Sequence, residues 1–331
     1  MGCCLSQQDC VSKGGMASGN CAAGFGVCCV IVVTGCSGTV ANNCTYVRND
    51  GFPGSDSKNG RTCTVAINRI ADDICQIRLD FELTTQFPLG TEPGSCGGLG
   101  DSLTVSSPHS ASSSAFPPTV CGTLSGQHMY FESGRSSSLA GRIEIVQGTV
   151  TADRRYNIKV SYIHCNSKVR APSGCTQYFT GLTGTISSYN FAGDQILGNQ
   201  VYTNCIRQSE GYCSVLYSES QITSPDPFDL STGPTDSVTD NCMVANHVSI
   251  PSMVVQTLLT GSPQPQQDVV TIVPSMRCNK VFGSHPLTTV PGTLESIKNL
   301  PFVVGVRTLP SAGDSQADLG GFSLDYRQQP C

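Results

Sequence analysis

Apolar and polar residues alternate in two stretches of the chain that end alike. They are Tyr156-Asn157-Ile158-Lys159-Val160-Ser161-Tyr162-Ile163-His164-Cys165 and Phe322-Ser323-Leu324-Asp325-Tyr326-Arg327-Gln328-Gln329-Pro330-Cys331. In both, aromatic and aliphatic side chains fall on every second position, and a cysteine stands nine residues after the first aromatic. A period of two marks a strand with one face buried, and a terminal cysteine can tie that strand down. The stretch Ile77-Leu79-Phe81-Leu83 shows the same alternation, and Val215-Tyr217 shows it over a shorter span. No long apolar stripe with a helical period occurs, so the pattern predicts an all-β protein.

The repetition extends upstream. Tyr46-Val47-Arg48-Asn49-Asp50-Gly51-Phe52-Pro53 answers to Thr185-Ile186-Ser187-Ser188-Tyr189-Asn190-Phe191-Ala192, with Cys36 and Cys175 before them and Cys63 and Cys205 after. Order and chemistry repeat together, which predicts one fold used twice behind a small cysteine-rich head. The expected divisions are 1-34 for the head, 35-166 for the first β-sandwich and 167-331 for the second.

Composition narrows the picture. The 35 glycines and 19 prolines favour short strands joined by turns. Charged residues make up 13%, 19 basic against 24 acidic, and no five like charges run together, so a nucleic-acid partner is not expected. The longest strongly apolar run, Val27 to Val33, includes Cys28 and Cys29 and falls far short of the roughly 20 residues that span a bilayer, so no membrane span is expected. Nineteen cysteines suit an oxidising compartment, and the chain reads as secreted. The N-terminus Met1-Gly2-Cys3-Cys4 has neither a charged nor an apolar leader region, so any signal peptide is expected to be absent from this sequence. Without C-x2-C pairs or an H-x3-5-H motif, the thiols point to disulfides rather than zinc.

Several segments together carry a resemblance. Cys175, Gly181-Leu182-Thr183-Gly184-Thr185-Ile186-Ser187-Ser188-Tyr189-Asn190-Phe191, Cys205, Cys242, Arg277-Cys278 and Gly320-Gly321-Phe322-Ser323-Leu324-Asp325-Tyr326 resemble a CUB domain in cysteine order and in the closing G-F-x-x-x-Y. Cys36, Cys63, Cys96, Asp101-Ser102-Leu103-Thr104-Val105, Cys121-Gly122 and the Tyr156 strand follow the same order in the first repeat. With the C-x5-C-x10-C-x6-C-C block from Cys4 to Cys29, which is clip-like, nearly the whole chain is similar to secreted arthropod CUB-domain proteins. The resemblance implies two tandem antiparallel jelly-roll β-sandwiches.

It also implies a disulfide framework. The family pattern pairs Cys36 with Cys63, Cys96 with Cys121, Cys175 with Cys205 and Cys242 with Cys278. Each repeat then keeps a strand cysteine and a terminal one, giving Cys75 with Cys165 and Cys213 with Cys331. In the head, Cys4, Cys10, Cys21, Cys28 and Cys29 form the clip-like set, and Cys44 is expected to reach back to it, with Cys29 as its candidate partner. Cys3 is the expected leftover, free or joined to another chain.

The resemblance raises calcium, since the family's metal is held by acidic residues that include one shortly after the third cysteine. Asp101 takes that place in the first repeat, with Glu82 or Asp80 as further oxygens, while Asn246 stands there in the second. No other cofactor is implied. The only N-x-[ST] sequon, Asn43-Cys44-Thr45, makes Asn43 the glycosylation candidate. Pro108 to Pro118 and Thr223 to Thr239, rich in small polar residues and proline, read as surface loops.

Catalytic motifs are imitated and incomplete. Gly313-Asp314-Ser315 and His164-Cys165 stand in the chain order of a serine protease, but Gln316-Ala317 replaces the glycines of its oxyanion loop. Gly100-Asp101-Ser102-Leu103 spells a lipase signature, yet no histidine has an aspartate three residues before it. No enzyme activity is expected. Two crosslinked sandwiches with sparse charge lead instead to a structural or adhesive extracellular protein that associates with itself into a filament or coat. The alternative is a soluble recognition module for another extracellular protein or a glycan. A third reading, a regulator of proteases, rests on the clip-like head.

Overall fold

The computed structural model describes residues 2–135, 138–231, 242, 245–251, 253–257, 269–273, 275–283, 291–310 and 318–331. The chain divides into two compact units, Met1–Thr91 with Ser95–Thr176, and Glu92–Gly94 with Gln177–Cys331. Both are built from short strands, as the two-residue alternation predicts.

The first unit contains β1 (Cys3–Leu5), the short helix α1 (Gln7–Ser12), β2 (Met16–Cys21), β3 (Gly26–Thr34), β4 (Ser37–Val40), β5 (Thr45–Arg48), β6 (Arg61–Asn68), β7 (Ile74–Phe81) and β8 (Gln86–Phe87). It continues with β9 (Ser102–Ser106), β10 (Gly122–Thr123), β11 (His128–Glu132), β12 (Leu139–Gln147) and β13 (Asn157–His164). One sheet runs β1-β3-β5-β13-β7-β11 with β2 added beside β3, and a second runs β4-β6-β12-β9. Inward residues of both alternate as half-buried strands require: Ile77, Leu79, Phe81, Ile158, Val160 and Tyr162 from the first sheet, and Val65, Ile67, Ile143 and Ile145 from the second, are all buried. The sheets meet closely at Gly141, where an added Cβ would stand 2.6 Å from the Phe131 ring. Tyr162 Oη crosses the core to donate to Asn68 O at 2.7 Å and also lies 3.1 Å from Val40 O.

Two pairings depart from the all-antiparallel expectation. β3 lies parallel to β5, and β4 parallel to β6. A parallel pair needs a crossover. Here β4, in the opposite sheet, is the crossover between β3 and β5. The same step joins the head to the first sandwich, because Ile31 to Thr34 of β3, within the expected head, pair with Thr45 to Arg48 of β5 in the larger sheet.

The second unit contains β14 (Cys175–Phe179), whose first two residues group with the first unit, then β15 (Thr183–Ser187), β16 (Val201–Ile206), β17 (Tyr212–Glu219), β18 (Phe228–Asp229), β19 (His247–Ser249) and β20 (Met253–Thr257). After these come β21 (Val269–Val273), β22 (Met276–Arg277), β23 (Leu294–Ser296), β24 (Val303–Arg307) and β25 (Gly321–Pro330). Its sheets run β15-β25-β17-β23-β20-β21, with β18 beside β25, and β14-β16-β24-β19-β22. One pair of hydrogen bonds recurs in the two units. Asn49 N donates to Tyr156 O and Asn49 Oδ1 accepts from Tyr156 N at 2.9 Å, while Ser188 N donates to Phe322 O and Ser188 Oγ accepts from Phe322 N at 3.1 Å.

Disulfides join Cys36 to Cys63, Cys75 to Cys165 and Cys96 to Cys121 in the first unit, and Cys213 to Cys331 and Cys242 to Cys278 in the second. Cys175 and Cys205 are also disulfide-bonded.

Glu219, at the end of β17, accepts from Phe282 N at 2.7 Å. Burial pushes its carboxyl pKa above the usual value of 4.5, with Asp226 adding to the effect. A raised carboxyl pKa means that the fold disfavours the charged form, so the penalty is absent below the unfolded pKa and complete above the folded one. Glu219→Gln, which keeps an acceptor for Phe282, is therefore expected to raise the melting temperature at pH 7 and leave it unchanged near pH 3.5, a pH below that usual value. Calorimetric melts at the two pH values check this.

Candidate binding face

Inward residues of β7 and β13 build the core, so the intervening ones make the outer face of the larger sheet in the first unit. Register sets Lys159 between Tyr46 and Asp80, with His128 beyond Asp80. One row along, Ser161, Arg78 and Tyr130 stand side by side, and in the next Ile163, Gln76 and Glu132. Lys159, Asp80, Ser161, Arg78 and Glu132 are half-buried on this face, whereas Tyr46, His128, Tyr130, Gln76 and Ile163 are buried within it.

Arg78 is held on this face from two sides. Its Nε and Nη2 donate to Asp80 Oδ1 at 2.8 and 2.6 Å, and its Nη1 donates to Tyr130 Oη at 2.9 Å. The guanidinium also lies 5.3 Å from the centre of the Tyr130 ring. Gln76 fastens the neighbouring segment: its Nε2 donates to Ala171 O at 2.8 Å and its Oε1 accepts from Ala171 N at 2.9 Å. That two-point bond holds Val169 beside the face. Tyr46 is 2% exposed, lies beneath the Arg48 guanidinium at 5.4 Å, and has its hydroxyl pKa pushed up to about 12, first by burial and then by Glu82. It remains a neutral phenol.

The result is a cleft of about 500 Å³ whose polar lining is Arg78, Asp80, Glu82, Gln127, Lys159 and Ser161. Ile163, Val169 and the exposed Leu83 supply its apolar lining. Side chains pinned in this way lose little freedom when something binds, which favours recognition. The sequence offers Asp80 and Glu82 as possible calcium oxygens and Lys159 and Ser161 as polar positions of an alternating strand, and marks none of these, nor Arg78, as a partner-binding residue. The signal available was the run of polar residues at the outward positions of two alternating strands.

Residues 172–329 match the animal CUB domain family. The CUB match coincides with the second unit together with the end of the first. No curated protein matches the sequence. Among solved structures, the chain is similar to the CUB1-EGF-CUB2 domain of human MASP-1/3, with 15% identity over 87% of this chain and 100% of that one and a TM-score of 0.26.

The calcium expectation drawn from the CUB resemblance is corrected at Asp101. Its carboxylate is fully buried and paired with the equally buried Arg154, whose Nε and Nη2 meet its two oxygens, Nη2 at 2.6 Å from Oδ1. Gly148 N donates to the same carboxylate at 2.9 Å. Arg154 Nη1 donates to Lys58 O at 2.6 Å and to Asp56 O and Asn59 Oδ1 at 3.2 Å. A guanidinium thus fills an all-oxygen cage and supplies the positive charge. Asn246 is engaged as well, accepting from Leu309 N and donating to Leu230 O. Among the described residues no group of three or more acidic, histidine or cysteine side chains could hold a metal ion.

The head is corrected too. Cys3, the expected leftover, is bonded to Cys44; Cys10 is bonded to Cys29 and Cys4 to Cys21, and the free thiol is Cys28. Neighbouring residues on a strand point to opposite faces. Cys29 faces Cys10 and Ile31 in the small buried cluster of the head, so Cys28 faces away, with its sulfur 3.0 Å from Gly2 N. The denatured, unreduced chain is therefore expected to titrate with one thiol, and Cys28→Ser to titrate with none. Two or more thiols in the native sequence would contradict the pairing.

Of the catalytic imitations, His164 and Ser102 lie among the described residues. His164 Nδ1 lies 2.7 Å from Asp73 Oδ2 on the surface, where the histidine holds the aspartate below its usual pKa. Ser102 opens β9 and is buried. Gly313-Asp314-Ser315 falls outside the described residues, as do positions 232–239 of the second loop. The Pro108 to Pro118 loop is largely exposed, and Asn43 is exposed beside β13, its Oδ1 accepting from Cys44 N and Tyr162 N, both at 2.9 Å.

Proposed function

We propose that the chain is a non-catalytic extracellular interaction protein made of two units of one CUB-like fold, and that it receives a partner polypeptide on the outer face of its first unit. The observation that carries this is the cleft in which Asp80 and Tyr130 fix Arg78 while Gln76 fixes the Val169 segment. The repeated Asn49–Tyr156 and Ser188–Phe322 hydrogen bonds support the shared fold, and the disulfides support an oxidising, extracellular setting.

The test is panning of a random-peptide library on the full chain, with Ser161→Trp as counter-target, because an indole at this position would fill the cleft. Peptides that bind the native chain should lose Ser161→Trp. Peptides that bind both equally would place recognition elsewhere.

Self-association into a filament or coat is a second reading, favoured by the head. β2 is an uncharged strand with every residue but Cys21 exposed, and Met16 and Phe25 are 65% and 93% exposed. An edge without charge can pair with another chain, although the irregular register between Ala17 and Asn20 blunts it. Sedimentation velocity should then show mass rising with concentration, with less rise for Phe25→Ser. A monomer at every concentration would dismiss it.

Glycosylation of Asn43 also belongs to this proposal. Peptide N-glycosidase should increase the gel mobility of protein made in secreting insect cells, and Asn43→Gln should match the treated protein. Unchanged mobility after treatment would remove the glycan.

A further inference from the structure

If the outer face of the first unit is the recognition surface, its charges specify what it recognises. Arg78 and Asp80 are engaged with each other. Lys159 and Glu82, by contrast, take part in no ion pair among the described residues. Lys159 is half-buried on β13, the central strand between β5 and β7. Anything that covers the cleft strips water from that ammonium, which is costly unless the newcomer brings a carboxylate.

The spacing along β13 adds a second requirement. Lys159, Ser161 and Ile163 follow one another at alternate positions on one face, giving a cation, a hydroxyl and an apolar side chain in line, with Val169 also lining the apolar part. Alternate residues of a strand lie roughly 6.5 to 7 Å apart, the same repeat that an extended peptide has. A partner strand can therefore address Lys159 and Ser161 directly and the apolar part of the cleft through the exposed Val169, since Ile163 itself is buried.

We propose that the cleft binds an extended peptide segment with an acidic side chain opposite Lys159, a small polar one opposite Ser161 and an aliphatic one, four residues from the acid, against Ile163 and Val169. Glu82, whose N–H donates to Asn157 O beyond the Lys159–Asp80 pair and away from Ser161, favours a basic residue at the outer end of the same segment. A polyanionic glycan is disfavoured, since Asp80 and Glu82 repel it and Leu83, Ile163 and Val169 offer it nothing to bond.

The test uses a fluorescein-labelled, end-blocked heptapeptide with glutamate at its second position, serine at its fourth and leucine at its sixth, together with a twin carrying glutamine for glutamate. Anisotropy titration of the full chain should show saturable binding of the first peptide and about tenfold weaker binding of the twin. Lys159→Gln should weaken the glutamate peptide about tenfold and leave the glutamine twin unchanged, and Ser161→Trp should abolish both. Circular dichroism melts confirm that each variant is folded.

The outcomes separate the two levels of the argument. If Ser161→Trp abolishes binding and Lys159→Gln does not alter it, the surface stands and the charge assignment falls. If Ser161→Trp binds normally, the surface itself is wrong. No saturable binding, or displacement of the peptide by a heparin oligosaccharide that Lys159→Gln no longer binds, would overturn the peptide assignment.

Discussion

Arg154→Met is expected to destabilise the first unit by about 3 to 5 kcal/mol, because it leaves a buried carboxylate without its cation. Asp101 is fully buried, and the hydrogen-bond partners of its carboxylate in the described structure are Arg154 and Gly148 N. Against a typical domain stability of about 5 to 15 kcal/mol, such a loss is a large share of the total. Asp101→Asn should be damaging for the converse reason. The double variant Arg154→Met with Asp101→Leu removes both charges and should recover part of the loss. Full recovery is not expected, since Lys58 O and Asp56 O would lose their donor and Gly148 N its acceptor, at about 1 to 3 kcal/mol for each group left unsatisfied. The chain has no tryptophan, so urea unfolding is followed by far-UV circular dichroism and tyrosine fluorescence. A single variant with an unchanged midpoint, or a double variant fully restored, would show that the pair does not hold the unit together.

The same pair shows where sequence reading stops. The final strands were legible because half-buried strands repeat every two residues, so Tyr156, Ile158, Val160 and Tyr162, and likewise Phe322, Leu324 and Tyr326, announce their buried face. Asp101 was noticeable as an acid near a cysteine, but nothing in one dimension says that Arg154, 53 residues later, fills its oxygen cage. The head failed for a related reason. Whether Cys28 or Cys29 faces Cys10 depends on the strand's register, and five cysteines in a clip-like pattern do not fix it. Nor does the apolar run Val30 to Val33 say in one dimension that the strand it belongs to pairs with β5 in the larger sheet. The binding face was half legible: the outward residues of β7 and β13 are polar in the sequence, whereas placing Lys159 opposite Asp80 requires the pairing register.

Removing the Cys213–Cys331 disulfide is expected to cost the second unit about 4 to 5 kcal/mol, more than removing any bond of the head, on the account in which a crosslink acts by restricting the unfolded chain. The bond spans a sequence separation of 118, against 17 and 19 for Cys4–Cys21 and Cys10–Cys29. Loop-closure entropy alone then separates long from short by about 1.5 kcal/mol. Native packing argues the other way, since Cys10 and Cys29 are buried with Ile31 while Cys213 and Cys331 lie at strand ends. The folded state adds to the long bond's effect, however. It fixes the end of β25, the strand between β15 and β17, beside the first residues of β17, and fraying there would expose Tyr326 and Leu324. Paired serine replacements of Cys213 with Cys331, of Cys75 with Cys165 and of Cys10 with Cys29, compared by urea midpoint and slope, decide between the two. If the Cys10 with Cys29 replacement proves the most damaging, local packing rather than chain entropy governs what these disulfides contribute.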